Sequence, residues 1–254
     1  MSADSVLHIE NLGHSYGKFK VIEDISLSIG KGEMSALIGP NGAGKTTFYN
    51  AISGKFKPSK GKVFLNGEDI TGLPSHRIVN KGMCRSFQIT NIFAELTVAE
   101  NVFSPLVIQQ NKHFRLHGNV FKDRQITEKA MHTLEQVGLS DRADQAVSTL
   151  AYGDKRLVEM ALVLVRGPTV VLLDEPTAGM NPEETENMIS LIRKLAKNSK
   201  TTFFITEHDM KVVFSLAEKI YVLHQGLLLA QGKPQDIRAN EQVQEAYLGR
   251  KTHA

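Results

Sequence analysis

The sequence lacks the features of a disulfide-bonded, membrane-spanning or secreted protein. Its single cysteine, Cys84, has no partner for an intrachain disulfide, which suits a reducing compartment. The longest apolar runs, at 160–165 and 170–173, fall far short of the roughly 20 residues that cross a bilayer. The first residues carry acids and lack a basic stretch before an apolar one, so we expect no signal peptide. If the protein works at a membrane, we expect another chain to supply the spanning part.

A surplus of charge of one sign is also missing. The 254 residues carry a formal net charge of +3, with lysines and arginines balanced by acids along most of the chain. This balance does not by itself indicate a nucleic-acid surface. The hydrophobic content of 41% is ordinary for a globular protein and predicts a sizeable core.

Strand and helix patterns alternate along the chain, which predicts an α/β fold. Alternating apolar residues at 25–29 and an Asn66-Gly67 hairpin signal predict strands in the first third. Apolar runs at 34–38 and 170–173 predict buried strands of a mainly parallel sheet. Helical patterns dominate near 88–165, which predicts a helical insert in that sheet. Thr97-Val98-Ala99-Glu100 fits a capping box that opens a helix, and Asn181 followed by Pro182 fits the start of a later helix.

The segment Gly39–Thr47, "GPNGAGKTT", matches the pattern Gly-x₄-Gly-Lys-Ser/Thr and follows a buried-looking strand. Its glycines let backbone N–H groups wrap around phosphates, and Lys45 is expected to reach the β- and γ-phosphates. The Thr46 hydroxyl is expected to ligate Mg²⁺. The predicted phosphate-binding residues are Gly39, Pro40, Asn41, Gly42, Ala43, Gly44, Lys45, Thr46 and Thr47.

Polar residues follow the later strands at positions that suit phosphate chemistry. Asp174 ends an apolar strand and is predicted to hold Mg²⁺ through water, whereas Glu175 could deprotonate the attacking water. His208 follows another strand and could donate to a γ-phosphate, although a lone histidine is more often structural. Gln88 could contact Mg²⁺ and the attacking water, although alone it reads as a surface amide. Tyr16 could stack on a nucleobase or could simply pack.

A helical pattern in 150–164 raises the question of what its first turn binds. The apolar residues at three- and four-residue steps are Leu157, Met160, Ala161 and Leu164. They predict a helix that begins just after Ala151-Tyr152-Gly153, where few side chains could cap it. A helix end with free backbone N–H groups favours an anion.

Taken in this order, the motifs resemble those of the ATP-binding cassette (ABC) ATPases, over nearly the whole chain. By that resemblance, Tyr16 is the base-stacking aromatic, Gln88 the Q-loop residue and His208 the switch histidine. The segment 39–46 is the Walker A loop, 150–155 the signature motif, 174–175 the Walker B acids and 178–181 the D-loop. The resemblance implies a P-loop NTPase domain with an N-terminal antiparallel β subdomain. It implies a core of 1–87 and 166–254 and a helical signature-motif subdomain of about 88–165.

In that family, the signature of one subunit faces the γ-phosphate bound to the other. ATP would therefore be held head-to-tail between two subunits, with the helix N-terminus adding positive potential. The predicted contacts in trans come from Ala151, Tyr152, Gly153 and Asp154. Here Ala151, Tyr152 and Asp154 stand where the usual motif has Ser, Gly and Gln, and Asn181 replaces the usual D-loop Asp. A hydroxyl contact to the γ-phosphate is lost, and Asp154 adds negative charge near it. Because the backbone N–H groups and Gly153 remain, we expect binding to survive with altered turnover.

The signature, the segment 174–185 and the end 206–249 look most like the ATPases of branched-chain amino acid importers and their amide and urea relatives, in which these departures are typical. This implies a peripheral subunit at the cytoplasmic face of the cell membrane. Its partners would be permease subunits and, indirectly, a substrate-binding protein. The expected permease contact is Ile89–Glu95, where Ile92 and Phe93 are either exposed anchors or core residues.

Three alternatives remain open from the residues. The first is the ATPase of an envelope lipid or lipopolysaccharide exporter, which a standard Leu-Ser-Gly-Gly signature would have favoured. The second is an ABC ATPase that acts on ribosomes or DNA, which usually has two cassettes or a long coiled-coil insert. The third is a module that binds ATP without hydrolysis, against which Glu175 and His208 argue.

Overall fold

The computed structural model describes residues 5–86, 92–109, 123–198 and 201–248. The strands are β1 (Ser5–Tyr16), β2 (Phe19–Gly30), β3 (Met34–Ile38), β4 (Lys60–Leu65), β5 (Glu68–Asp69), β6 (Met83–Arg85), β7 (Val170–Asp174), β8 (Thr202–Thr206), β9 (Lys219–His224) and β10 (Leu227–Gly232). The helices are α1 (Lys45–Ile52), α2 (Ser75–Asn80), α3 (Val98–Gln109), α4 (Arg124–Val137), α5 (Tyr152–Leu164), α6 (Pro182–Asn198), α7 (Met210–Leu216), α8 (Pro234–Ala239) and α9 (Glu241–Leu248). Single 3₁₀ turns lie at Ser140–Arg142 and Val147–Thr149. Gln88 and residues 89–91 lie outside the described residues.

The first strands form an antiparallel sheet in the order β2-β1-β4-β5. The turn between β4 and β5 contains Asn66 and Gly67, with φ values of 51° and 79°. Two positive φ values in a two-residue hairpin turn match the right-handed twist of the strands that they connect. The hairpin signal in the sequence is therefore confirmed.

The second sheet has the order β10-β9-β3-β8-β7-β6, in which only the pairing of β10 with β9 is antiparallel among the described strands. Every residue of β3, β7 and β8 is buried, because layers cover both faces of this sheet. Alternate residues enter different cores. Leu37 and Phe204 pack with the antiparallel sheet and α1, whereas Ala36 and Ile205 pack with helices on the other face. The predicted mainly parallel sheet is confirmed.

Helices α3, α4 and α5 follow β6 and precede β7 in the chain. They pack on one another through buried residues such as Val102, Leu134 and Val158, which belong to the same core as one face of the large sheet. The predicted capping box starts α3, because Thr97 N donates to Glu100 Oε2 at 2.8 Å and Glu100 N donates to Thr97 Oγ1 at 3.2 Å. Within the described ranges, no helix combines the length and apolarity needed to cross a bilayer.

Candidate active site

The carboxyl ends of β3, β7 and β8 meet around a cavity of about 310 Å³. Strands of a parallel sheet all end on the same edge, so motifs far apart in the sequence come together there. The residues that line this cavity are Val21, residues 41–47, Asp174, Glu175, Thr206 and His208. The phosphate loop, the two acids and the histidine that the sequence singled out thus share one site.

The loop that follows β3 needs glycine at two positions. Gly39 has a φ of 156°, and a Cβ there would lie 2.2 Å from the Leu223 carbonyl oxygen. Gly44 has a φ of 102°, and a Cβ there would lie 2.6 Å from Ile22 Cγ2. The loop therefore turns tightly against β2 and β9 before α1 begins at Lys45, which leaves the first N–H groups of α1 facing the cavity.

Lys45 reaches back across this loop. Its Nζ donates to the carbonyl oxygens of Gly39, at 2.6 Å, and Pro40, at 3.1 Å, and the side chain is 9% exposed. Burial lowers the pKa of Lys45, while the nearby charges of Glu175 and Asp174 raise it. Burial has the larger effect, so the net shift of the Lys45 pKa is downward, and the two carboxylates offset it in part.

Asp174 is bound on both of its oxygens. Arg85 Nη2 donates to Oδ2 at 2.6 Å, and Thr206 Oγ1 donates to Oδ1 at 2.6 Å. Arg85 also donates to Asn50 Oδ1 at 2.7 Å, so its guanidinium is held from two sides. The side chains of Arg85 and Asp174 are only 12% and 6% exposed. This network gives Asp174 a single orientation at the edge of the cavity.

Glu175 and His208 form a pair at the mouth of the cavity. His208 Nε2 lies 2.9 Å from Glu175 Oε1, and both side chains keep access to water. Glu175 has a φ of 50°, a left-handed conformation that strains a residue with a Cβ by about 1–3 kcal/mol. Its backbone N–H donates to the Thr206 carbonyl at 2.9 Å, which helps to hold that conformation. Strain of this kind is typical of functional positions.

Of the three residues that the sequence predicts to bind Mg²⁺, the structure describes Thr46 and Asp174. Hydroxyl and carboxylate oxygens of Thr46, Asp174 and Glu175 line one cavity, and oxygen ligands suit Mg²⁺. Among the described residues, no group of three or more His, Cys, Asp or Glu side chains could hold a metal by itself. The predicted contact from Gln88 lies outside the described residues.

Helix α5 begins at Tyr152, so the prediction that it begins after Gly153 is wrong by two residues. Ala151 is the N-cap, and no described side chain caps this end. The first turn can start earlier because Tyr152 Oη donates to the Ala178 carbonyl at 3.1 Å and accepts from Arg156 Nη2 at 2.8 Å. Those bonds hold the first residue of the helix against the segment 178–181.

The charge of Asp154 is compensated inside the chain. Arg142, in the 3₁₀ turn after α4, forms a close ion pair with the Asp154 carboxylate. The expected negative charge beside the signature helix is therefore reduced by a neighbour. Among the residues described around the cavity, none comes from 151–154, so the signature end of α5 does not line the phosphate-loop cavity of its own chain.

Asn181 has a local structural role. Its Oδ1 accepts from Glu184 N at 2.9 Å, while Asn181 N donates to Glu184 Oε2 at 2.9 Å. This reciprocal pair starts α6, with Pro182 as the first residue of the helix. The predicted cap by Asn181 is confirmed.

Tyr16 is 54% exposed at the end of β1. The ring of His14 meets it edge-on at 4.8 Å, and Phe56 stacks on His14 at 4.0 Å. Tyr16 therefore keeps an exposed ring surface while its neighbours fix its position, which is compatible with stacking on a base.

A larger cavity of about 680 Å³ lies between the phosphate-loop helix α1, strand β6 and helices α3 and α5. Thr46 lines both cavities, and Arg85, which holds Asp174, lines the larger one. Phe93 is 60% exposed at its rim, whereas Ile92 is partly buried against the core. Phe93 is therefore the exposed residue of this pair, whereas Ile92 packs against the core.

Sequence reasoning missed Arg85, Arg142, Thr206 and Glu207. Each acts through a partner distant in sequence, and none belongs to a recognisable local pattern. Arg85 lies three residues before Gln88, and Thr206 and Glu207 directly precede His208, so proximity to a motif was the available signal.

Comparison with known proteins agrees with this geometry. A model of the ABC transporter family matches residues 22–178, more than half of the chain. The chain belongs to the ABC transporter family. As an ATPase of that family it binds nucleotide, and its P-loop fold is that of an ABC domain. A second model, of branched-chain amino acid ATP-binding cassette transporters, matches residues 228–253 of this ABC ATPase.

Relatives at the level of whole chains are similar to this ABC ATPase. It is 39% identical to the high-affinity branched-chain amino acid transport ATP-binding protein BraF of Pseudomonas aeruginosa, over 96% of this chain and 98% of that one. It is 38% identical to LivG of Escherichia coli, described in the same words, with the same coverage. It is also 35% identical to the lipopolysaccharide export system ATP-binding protein LptB of Haemophilus influenzae, over 96% and 98%. A crystal structure of the ADP conformation of an ATP-binding cassette superposes with a TM-score of 0.87 at 30% identity, covering 97% of this chain and 99% of that one.

Proposed function

We propose that this chain is the ATP-hydrolysing subunit of an importer for branched-chain amino acids or for related amides and urea. The observation that carries this is the convergence of the loop 41–47, Asp174, Glu175 and His208 on one cavity in a chain of this family. The family model that matches 228–253 and the names of BraF and LivG support the cargo class. Import is favoured over lipopolysaccharide export because that tail model matches and LptB is less similar.

Each residue of the cavity has a proposed role in hydrolysis. The loop amides and Lys45 bind the β- and γ-phosphates, and Tyr16 stacks on the base. The Glu175 carboxylate accepts a proton from the attacking water, and His208 donates to the γ-phosphate. The 2.9 Å contact between His208 Nε2 and Glu175 Oε1 places the two side chains next to each other in this structure. Thr46, Asp174 and Gln88 would hold Mg²⁺, which would neutralise phosphate charge when bound.

The pocket is proposed to be completed by a second subunit, either a copy of this chain or a homologous ATPase. Residues 151–154 do not line the cavity of their own chain, yet α5 presents an end without a side-chain cap. Its N–H groups and helix dipole suit the γ-phosphate held by the other subunit. ATP would thus close the dimer, because it binds the closed form better than the open one.

Membrane permease subunits are the proposed partners, with the chain at the cytoplasmic face of the cell membrane. The larger cavity supports this docking, since the exposed side chains of Phe93 and Ile108 line it. Arg85 also lines this cavity and donates a hydrogen bond to Asp174 in the nucleotide cavity. A partner seated there would touch the residue that orients an acid of the nucleotide site.

Replacing Glu175 by Gln tests the hydrolytic role. We expect phosphate release to fall by at least about 100-fold, because the general base is lost, while calorimetry still detects ATP binding. Glu186→Gln, on the exposed face of α6, is the matched control and should keep normal turnover. Undiminished phosphate release from the Glu175 variant would reject the assignment.

Replacing Phe93 by Asp tests the docking surface. Co-purification with co-expressed permease subunits of a branched-chain amino acid importer should fall, while the ATPase rate of the isolated subunit stays unchanged. Leu227→Asp is the matched control, since Leu227 is also exposed, at 51%, but does not line the larger cavity. Equal recovery of permeases with both variants would refute this surface.

A further inference from the structure

Glu207 is a buried carboxylate next to the cavity that does not line it. It is 4% exposed and lies between Thr206 and His208. Its Oε1 accepts from both Thr177 N, at 2.9 Å, and Thr177 Oγ1, at 2.6 Å. Its Oε2 accepts from His208 N at 3.1 Å. One side chain thus joins the loop after β7 to the loop after β8.

We propose that Glu207 is a positioning residue that sets the geometry of the pair Glu175–His208. This inference rests on the roles proposed above for those two residues. Thr177 follows Glu175 by two positions, and His208 directly follows Glu207, so the carboxylate holds both loops close to the atoms that react. The bond from Glu175 N to the Thr206 carbonyl, at 2.9 Å, provides a second link between the same loops.

Both side-chain oxygens of Glu207 must be able to accept hydrogen bonds. Two of the three donors are backbone N–H groups, of Thr177 and His208, and these cannot reverse direction. A carboxylate accepts on either oxygen, whereas a glutamine would place an NH₂ against one of the two N–H groups. Since water has little access, that N–H would lose its partner and the loop carrying it would shift. A shift of about 1 Å in catalytic geometry can cost on the order of 100-fold in rate.

Glu207→Gln tests the proposal in the full chain. We expect kcat to fall at least about tenfold, while KM and ATP affinity measured by calorimetry change less than about twofold. Glu218→Gln, an exposed glutamate just after α7, is the matched control and should leave kcat unchanged. A circular-dichroism melt shows whether each variant is folded.

A double-mutant comparison separates positioning from a general structural role. In single-turnover hydrolysis, which resolves slow rates, Glu207→Gln should lower the rate less than about twofold in a His208→Ala background. If Glu207→Gln does not fold, Thr177→Val, which removes only the hydroxyl donor, takes its place with Thr177→Ser as its control. Thr177→Val should likewise lower the single-turnover rate much less in the His208→Ala background than in the wild-type background.

Two results would overturn the proposal: an unchanged kcat in Glu207→Gln, or an equal loss of rate in the presence and absence of His208. The proposed function fails in a different way. If Glu175→Gln and His208→Ala both keep normal turnover, the roles of the pair are wrong and this inference loses its basis. If those variants are inactive while Glu207→Gln is fully active, only the positioning role is wrong.

Discussion

At the residue scale, the ion pair between Arg85 and Asp174 is the contact with the largest consequence for the site. Both side chains are almost fully buried, so the direct pair supplies much of the compensation of each charge, and Lys45 adds a further positive charge near Asp174. The same guanidinium lines the larger cavity and lies 5.5 Å above the ring of Tyr49. A single arginine therefore connects the proposed docking surface to an acid of the nucleotide cavity.

Removing that arginine should destabilise the protein. We expect Arg85→Met to lower the free energy of unfolding by about 3 kcal/mol or more, because Asp174 keeps a buried charge without its partner. Arg124→Met is the control, since Arg124 and Glu128 form a pair whose side chains are 89% and 62% exposed. It should cost less than about 1 kcal/mol. Urea denaturation measures both values, and similar costs would contradict the buried-pair account.

At the scale of elements, the start of α6 shows why an unusual D-loop residue is tolerated. Asn181 replaces the aspartate usual in the family, and its side chain serves as the N-cap in a reciprocal pair with Glu184. A carboxylate and an amide oxygen accept equally well at this position. The departure from the family pattern is therefore compatible with an intact helix start.

Two substitutions at Asn181 test this explanation. Asn181→Ala should lower the free energy of unfolding by about 1 kcal/mol, since Glu184 N loses its acceptor. Asn181→Asp should change it by less than about 0.5 kcal/mol, because aspartate caps the same N–H. Both are measured by denaturant titration. A loss in the aspartate variant as large as that in the alanine variant would show that the cap is not the reason.

The signature helix shows how an element differs from its sequence-based prediction. Periodicity located α5, but its first residue is Tyr152 instead of a residue after Gly153. The tyrosine is drawn into the helix by Ala178 and Arg156, and the contact with Ala178 is 26 residues distant in sequence. Such contacts are invisible to a pattern that reads only neighbouring positions.

At the scale of the whole molecule, we propose that two chains form two nucleotide pockets. Each chain supplies the phosphate loop of one pocket and the signature end of α5 to the other pocket. The cavity at the phosphate loop and the uncapped end of α5 are separate within one chain. If two copies of this chain assemble head-to-tail, a defect in the loop and a defect in the signature fall in different halves of a pocket.

Mixing two inactive variants tests this arrangement. Lys45→Ala removes the phosphate contact, and Gly153→Asp places a charge and a side chain at the signature end. Each alone should be inactive as an ATPase. In an equal mixture about half of the dimers contain one copy of each variant, and one of the two pockets in each of these dimers is intact, so the mixture should recover about a quarter of the wild-type activity. Lys62→Ala, an exposed lysine, serves as the control for Lys45. Absence of recovery would contradict a pocket shared by two copies of this chain.

The sequence by itself determined the elements and motifs that depend on neighbouring residues. The phosphate loop 39–47, the caps at Thr97 and Asn181, and the strands that end at Asp174 and Thr206 all follow from local backbone preferences and short periodicity. The order of these motifs also indicated the ABC fold. Local physics is sufficient there, since the interacting groups lie within a few positions of one another.

Only the tertiary structure decided which partners complete the site. Asp174 binds Arg85, 89 residues away, and Glu207 binds Thr177, 30 residues away. Those pairs exist because parallel strands bring their carboxyl ends to one edge, and the strand order β3-β8-β7-β6 sets the neighbours. Strand order depends on packing of the whole chain, so the pairings cannot be read from any single segment.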